Sequence, residues 1–135
     1  MMKQAILIVC GEEYERLPFL VEQFDERFNV YIHIDKKVIV PQKLVEGLKA
    51  KTGIRWMNQS FITNWGSMNL VNAILLLCEV ALTEEDNTHF HLISGADFPA
   101  ATNSEIIATC SSEKDNYIEF FPMPTPRWKE GGMNR

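Results

Sequence analysis

Residues 89–99, His-Phe-His-Leu-Ile-Ser-Gly-Ala-Asp-Phe-Pro, combine a strand pattern with polar, turn-forming residues. The side chains of residues 90 and 92 alternate with those of residues 89, 91 and 93, which is the period of a β-strand. Ser94, Gly95 and Asp97 follow directly. A glycine lets the backbone approach a ligand, and a carboxylate accepts hydrogen bonds from hydroxyl groups. Open α/β sheets bind ligands at such turns, between a buried strand and the next helix. The sequence therefore predicts a binding site at this turn.

The same stretch also fits a purely structural turn. Asp97 would then accept hydrogen bonds from nearby backbone amides, as in an Asx turn. A serine nucleophile is not indicated at Ser94, because the GxSxG elbow of hydrolases is missing and no base is adjacent. We expect Asp97 to shape the turn rather than to act as a catalytic base.

A second polar group, His33-x-Asp35-Lys36-Lys37, follows the apolar run of another predicted strand. A carboxylate in this position accepts hydrogen bonds from a ribose or a base, and nearby lysines meet phosphate. The alternative is a half-buried His33 paired with a carboxylate, with both lysines in a solvated turn. The residues alone favour that alternative, because the motif is short.

Two further groups contain tryptophan. Trp-Gly-Ser at 65–67 places a large aromatic ring and a glycine at a predicted helix N-terminus, whose free amides favour an anion. Its alternative is a core tryptophan followed by a helix cap. Arg-Trp-Lys at 127–129 combines cations with an aromatic ring in a mobile Pro- and Gly-rich segment, which suits sugar stacking and contacts to carboxylate or phosphate. Its alternative is a solvated linker.

Composition places the chain among soluble single-domain proteins. Of its 135 residues, 46% are hydrophobic and 23% charged, and the net charge of -5 argues against a general nucleic-acid binder. Cys10, Cys78 and Cys110 are widely spaced and form neither a disulfide framework nor a zinc site. We expect reduced thiols and a cytoplasmic location. No run reaches the roughly 18 apolar residues of a membrane span.

Apolar periodicity and turn residues predict strands that alternate with helices. This order indicates an α/β fold with a mostly parallel sheet and helices on both faces. The third helix is apolar almost all round, so we expect it to be buried on several sides. Regular structure is not expected in the Pro- and Gly-rich segment 122–135. The predicted strands lie at 5–10, 29–35, 54–57, 89–93 and 117–121, and the helices at about 17–24, 41–52, 68–83 and 103–110.

Four motifs in this order resemble the core-2/I-branching β-1,6-N-acetylglucosaminyltransferase family, which includes the peptide O-xylosyltransferases. They are His-Ile-Asp-Lys-Lys at 33–37, Trp-Gly-Ser at 65–67, Leu-Ile-Ser-Gly-Ala-Asp-Phe-Pro at 92–99 and Arg-Trp-Lys at 127–129. The resemblance covers residues 5–135 and implies a GT-A-like, Rossmann-related fold. It also implies inverting transfer of a sugar, N-acetylglucosamine or xylose, from a UDP-sugar to an acceptor hydroxyl of a glycan or other carbohydrate, without a cofactor or a metal-binding Asp-x-Asp pair.

The resemblance also assigns residues by position. Val9 and Asp35 correspond to nucleotide-binding positions. Glu119 corresponds to an acceptor-binding position, in a match that requires a gap nearby. Trp128 joins the set because its ring suits sugar stacking. The predicted substrate-binding set is Ser94, Gly95, Asp97, Glu119, Arg127 and Trp128.

Catalytic domains of this membrane-associated family are longer than the present chain. Their general base, a glutamate, and the Arg and Lys that hold the diphosphate belong to a second half. We therefore expect 1–121 to be the nucleotide-sugar-binding half of a glycosyltransferase, with the catalytic base outside this chain, and 122–135 to lead into the other half. An incomplete fold would expose apolar surface, which predicts self-association.

Two alternatives stay open. The first is a non-catalytic nucleotide- or glycan-binding module of the same fold. The second is a metal-dependent hydrolase that uses His33, Asp35, His89 and His91. Packed strand residues explain these histidines more simply, so the metal site is the weaker hypothesis.

Overall fold

The computed structural model describes residues 1–110, 116, 118 and 120–132. Within this part of the chain, one sheet is formed by β1 (Lys3–Cys10), β2 (Phe28–Ile34), β3 (Ile54–Asn58) and β4 (Asn87–Ser94). The strand order is β3-β2-β1-β4, and all neighbours pair in parallel. The predicted α/β fold with a parallel sheet is therefore confirmed.

Local sequence signals set the helix boundaries. Ser67 caps the third helix, where its Oγ accepts the Leu70 N–H at 3.4 Å, and Thr102 and Glu105 form a reciprocal capping box. The first α-helix is shorter than predicted and follows a 3-10 helix. The helices are α1 (Leu17–Val21), α2 (Gln42–Lys49), α3 (Met68–Ala81) and α4 (Asn103–Thr109), with 3-10 helices at Glu12–Arg16 and Lys129–Gly132.

The larger part of the core lies on one face of the sheet. Alternate side chains of β1 and β2, such as Ile8 and Ile32, are fully buried there against α1 and α2. Ile106 of α4 packs against the same cluster. Because the opposite face is also covered, β1 and β2 are buried almost throughout, as expected for central strands of a parallel sheet.

Helix α3 covers the opposite face, mainly over β1 and β2. Its buried side chains are Ala73, Leu77 and Ala81, whereas Leu75 is 57% exposed. The prediction that α3 is buried on several sides is therefore wrong, because within the described residues the sheet packs against one stripe of the helix. None of the described helices is long and apolar enough to cross a membrane.

Strand β4 lies at the edge of the sheet, so the prediction of a buried strand is also wrong. Its Phe90 and Leu92 side chains are 39% and 52% exposed, and the alternate residues are half-buried. Phe90 is in register with Ala5, on the α3 face. The period-2 pattern is real, but its exposed side is apolar.

The end of the described chain is more regular than its composition indicated. The Thr125 N–H donates to the Gly131 carbonyl at 3.1 Å, and a 3-10 helix spans Lys129–Gly132. Gly131 adopts a φ of +68°, which lets the backbone turn back over Pro124. The expectation of no regular structure is therefore wrong here. The predicted strand at 117–121 includes Tyr117 and Glu119, which lie outside the described residues.

The one-sided burial of α3 can be tested with two matched leucines. Leu77→Ala removes a fully buried side chain and should lower the free energy of unfolding by about 2–5 kcal/mol. Leu75→Ala, on the exposed side of the same helix, should change it by less than about 0.5 kcal/mol. Urea denaturation measures both values. Equal losses would show that the outer side of α3 is also packed.

Candidate functional site

A cleft opens at the carboxyl ends of β1 and β4. From β1 the sheet grows toward β2 and β3 on one side, whereas β4 is added on the other side. Such a reversal of strand order leaves a crevice in which open α/β sheets bind ligands. Here the crevice has a volume of about 370 Å³ and is lined by Val9, Glu13, Thr63, Trp65, Ser94 and Asp97, among others.

The turn after β4 is held by the side chain of Asp97. Its Oδ2 accepts the Ser94 N–H at 2.6 Å, and its own N–H donates to the Ser94 carbonyl at 3.2 Å. The Ser94 Oγ accepts the Ala96 N–H at 3.3 Å. These bonds confirm the turn-shaping role of Asp97. They also orient Ser94 and Asp97 at the cleft.

Gly95 is required by the packing of the protein itself. A Cβ atom on Gly95 would lie 2.6 Å from the Cys10 Sγ and 3.0 Å from the Cys10 Cβ. The sequence predicted a close approach at this glycine to a ligand, but the close neighbour is the buried Cys10 side chain. Burial, together with the charge of Glu13, raises the pKa of Cys10 to about 12, so the thiol stays protonated.

Asp35 joins the loop after β2 to the loop after β3. Its Oδ1 accepts the Lys37 N–H at 2.9 Å, and both the backbone and the hydroxyl of Thr63 bond to the same carboxylate. Burial alone would raise the pKa of Asp35, but these hydrogen bonds and the Lys37 ammonium, 3.6 Å away, lower it overall. Asp35 is therefore a buried, ionised carboxylate next to the cleft.

Thr63 is a site residue that sequence reasoning missed. It lines the cleft and bonds to Asp35, yet it lies in an irregular loop with no periodicity or motif of its own. Its proximity to Asp35 is a tertiary contact across 28 positions. A threonine 28 residues after a carboxylate gives no signal in a single sequence.

Trp65 stands at the rim of the cleft and is 94% exposed, so the alternative of a core tryptophan is wrong. The next residue, Gly66, has a φ of +73° and no neighbouring atom where a Cβ would lie. This glycine is therefore needed for its left-handed backbone conformation. It connects the loop to the N-cap of α3.

His33, in β2, contacts the loop that carries Thr63 and Trp65. Its side chain is fully buried, and its Nε2 accepts the Phe61 N–H at 3.1 Å. The predicted alternative, a half-buried histidine paired with a carboxylate, is therefore wrong: the Asp35 carboxylate bonds to Lys37 and Thr63. Lys37 is not simply solvated either, because its Nζ donates to Asn64 Oδ1 at 2.7 Å.

The three histidines do not converge. His33 is in register with Val9 of β1, whereas His91 is in register with Ile6 and bonds to Gln4 Oε1 at 2.8 Å. Positions 6 and 9 of a strand face opposite sides of the sheet. His89 shares the face of His91, two residues away. The structure thus separates His33 and Asp35 from His89 and His91, and the metal-dependent hydrolase hypothesis needs these two pairs together.

Arg127 and Trp128 contact the aromatic ring of Phe121. The Arg127 guanidinium lies 5.1 Å from the ring centroid, and the Trp128 ring packs edge-on at 5.4 Å. The segment is folded on itself, so a solvated linker is not what the described residues form. Neither side chain is among those that line the cleft in the described part of the chain. Glu119 lies outside the described residues.

A sequence model of the Core-2/I-Branching enzyme family matches residues 5–135. The chain belongs to this family. The predicted family resemblance is confirmed, and the four-stranded parallel sheet with helices on both faces is consistent with a GT-A-like glycosyltransferase domain.

The chain is also similar in sequence to xylosyltransferases. Xylosyltransferase 2 of Homo sapiens and of Canis lupus familiaris are each 28% identical over 138 residues, and that of Rattus norvegicus is 26% identical over 136 residues. Each match covers 96% of this chain and 16% of the relative. The chain thus spans about one sixth of the length of the curated relatives it matches.

The contact between Gly95 and Cys10 predicts a specific instability in this member of the Core-2/I-Branching family. Gly95→Ala should lower the free energy of unfolding by about 1–3 kcal/mol, because the added methyl group overpacks the site. Adding Cys10→Ala should restore part of that loss by removing the sulfur atom. Gly53→Ala, where no atom lies within 4 Å of the new Cβ, is the control and should be nearly neutral. A neutral Gly95→Ala would contradict the packing.

Stability should also decrease as the solution is acidified below about pH 6.5. Burial lowers the pKa of His33, and burial with the charge of His89 lowers that of His91. A lowered folded-state pKa means that the stabilisation is complete above the unfolded-state pKa and is lost as pH falls through the folded value.

Urea denaturation between about pH 7.5 and 5.5 measures this dependence above the range in which carboxylates titrate. The double variant His33→Gln/His91→Gln should show a smaller loss of stability over the same interval. An unchanged slope would mean that neither buried imidazole is responsible.

Proposed function

We propose that this chain forms the nucleotide-sugar-binding part of a glycosyltransferase and binds the UDP portion of a UDP-sugar in the cleft between β1 and β4. The observation that carries the proposal is the position of the cleft, at the carboxyl ends of parallel strands where the strand order reverses. Membership of the Core-2/I-Branching family supports the chemistry.

The nucleoside belongs on the side of the cleft formed by β1 and the two loops. Val9 lies at the end of β1, and Trp65 offers an open ring face to a base. Asp35 is 5% exposed and its carboxylate already bonds to Lys37 and Thr63. It therefore acts on the nucleoside through its negative charge and through the position of Thr63, in addition to any lone pair that these bonds leave free.

The transferred sugar and the acceptor belong toward the turn after β4. The Ser94 hydroxyl, the Gly95 backbone and the Asp97 carboxylate are suited to bind sugar hydroxyls at short range. Arg127 and Glu119 stay proposed acceptor contacts on the basis of the family resemblance, and Trp128 stays one because its ring suits sugar stacking. The names of the relatives support UDP-xylose as the first donor to test, before UDP-N-acetylglucosamine.

Inverting transfer also needs a base that deprotonates the acceptor hydroxyl and cations that stabilise the departing diphosphate. The Asp97 carboxylate accepts the Ser94 N–H, and the Glu13 carboxylate accepts the Gly11 N–H at 3.1 Å. We assign neither of them the role of base. In this proposal the base and the diphosphate-binding cations belong to the five sixths of the relatives that this chain does not span.

The same hydrogen bonds favour the second candidate, a module that binds a nucleotide or glycan without turnover. The carboxylates of Asp97 and Glu13 both stabilise turns at the cleft. This structural role explains their presence without any part in catalysis. An assay of UDP release from UDP-xylose separates the two functions, because the binding module retains affinity for UDP and releases none from the sugar.

Isothermal titration calorimetry with UDP tests the site. Trp65→Ala should raise the dissociation constant about tenfold or more, since stacking of a base on an aromatic ring contributes about 1–3 kcal/mol. Because Trp65 is exposed, the variant should fold normally. Phe19→Ala, which removes an exposed aromatic ring of α1, is the control and should leave the affinity unchanged.

Asp35→Ala should abolish the heat of UDP binding, whereas Asp86→Asn, before β4 at the other end of the sheet, should not. Absence of UDP binding to the wild-type chain, or an unchanged affinity in Trp65→Ala, would contradict the assignment of this cleft.

A further inference from the structure

The loop at residues 59–66 carries two walls of the cleft, Thr63 and Trp65, but contains no helix or strand. Its position depends on bonds to the end of β2 and the loop that follows. The Gln59 Nε2 donates to the Val38 carbonyl at 3.0 Å, and the Phe61 carbonyl accepts the Lys36 N–H at 3.0 Å. These bonds hold the loop at Gln59 and at the Phe61 carbonyl. Neither of them provides an acceptor for the Phe61 N–H.

The partner of that N–H is the His33 Nε2, at 3.1 Å. The two rings also stack, with centroids 5.9 Å apart and an interplanar angle of 27°. His33 is fully buried near the carboxyl end of β2, a central strand of the parallel sheet, where the side chain is ordinarily aliphatic. An aliphatic residue here would leave the Phe61 N–H without an acceptor.

An imidazole can accept at Nε2 only when it is neutral and carries its proton on Nδ1. Within the described part of the chain, the His33 Nδ1 is buried and has no hydrogen-bond partner. Burial keeps the ring neutral by lowering its pKa, although the charge of Asp35 acts in the opposite direction. The His33 imidazole therefore bonds to the loop through Nε2, which accepts the Phe61 N–H.

We propose that His33 is a positioning residue for the cleft. By accepting the Phe61 N–H, His33 holds the loop 59–66 and, with that loop, the Trp65 ring. The proposal rests on the proposed nucleotide site for its effect on binding. Its structural part, the bond from a buried acceptor to a loop that Asp35 and Lys37 also contact, is independent of any ligand.

Three variants separate this role from general core packing. His33→Phe keeps a ring of similar size and removes the acceptor, whereas His33→Gln restores an acceptor at the reach of Nε2. Tyr31→Phe is the matched control, because Tyr31 is buried on the same face of β2 and its hydroxyl accepts from Asn87 at the opposite end of the strand.

Amide hydrogen exchange measured by NMR on the free protein gives the first result. Relative to the Ile32 amide in the sheet, His33→Phe should speed exchange of the Phe61 amide about tenfold or more, the effect of one lost hydrogen bond. His33→Gln should bring the ratio back toward the wild-type value, and Tyr31→Phe should leave it unchanged. An unchanged ratio in a folded His33→Phe protein would overturn the proposal.

The wild-type protein provides a test that does not depend on a variant folding. The imidazole nitrogen shifts of His33 should show a neutral ring with the proton on Nδ1 and an unprotonated, hydrogen-bonded Nε2. The opposite tautomer, or a charged ring at pH 7.5, would rule out acceptance from Phe61.

Calorimetry with UDP then connects the loop to binding. His33→Phe should raise the dissociation constant about tenfold in the wild-type background and should have no further effect in Trp65→Ala, because the histidine acts through that ring. Additive losses would overturn the proposed route through Trp65. If the wild-type chain binds no UDP, the proposed function fails, while hydrogen exchange and the tautomer still decide the role of His33.

Discussion

The carboxyl end of β1 is the fixed point on which the site depends. The Cys10 carbonyl accepts the Asp35 N–H at 2.8 Å from one side, and the Val9 carbonyl accepts the Gly95 N–H at 2.9 Å from the other. Each of these donors is the first residue after its strand, β2 or β4. Two motifs that are 60 residues apart in the sequence are therefore brought to neighbouring peptide groups of one buried strand. The cleft opens at that strand end, between the turn after β4 and the loop 59–66 that contacts Asp35.

Much of the fold could be predicted because its signals are local. The apolar run of β1, the Ser67 cap and the capping box at Thr102 each act within a few residues, so the sequence contains the whole interaction. The turn bonds of Asp97 belong to the same class, since donor and acceptor are three residues apart. A single sequence shows such features directly.

The features that were missed or misjudged depend on distant residues. Whether the apolar outer side of α3 is covered depends on what packs there, and no property of Leu75 itself distinguishes it from Leu77. The partner of His33 is the backbone of Phe61, which has no side-chain signature. Two glycines show the same difficulty: Gly66 is required by its own backbone conformation, and Gly95 by the sulfur atom of a residue 85 positions earlier.

The contact between Gly95 and Cys10 also makes the thiol an internal reporter. The sulfur atom is enclosed where β1 and β4 end side by side, and with a pKa of about 12 it is almost entirely unionised at neutral pH. A thiol in that state reacts with an alkylating reagent only after the two strand ends have separated. The rate at which Cys10 is alkylated would thus measure how often the floor of the cleft opens, on the protein as it is and without any probe attached.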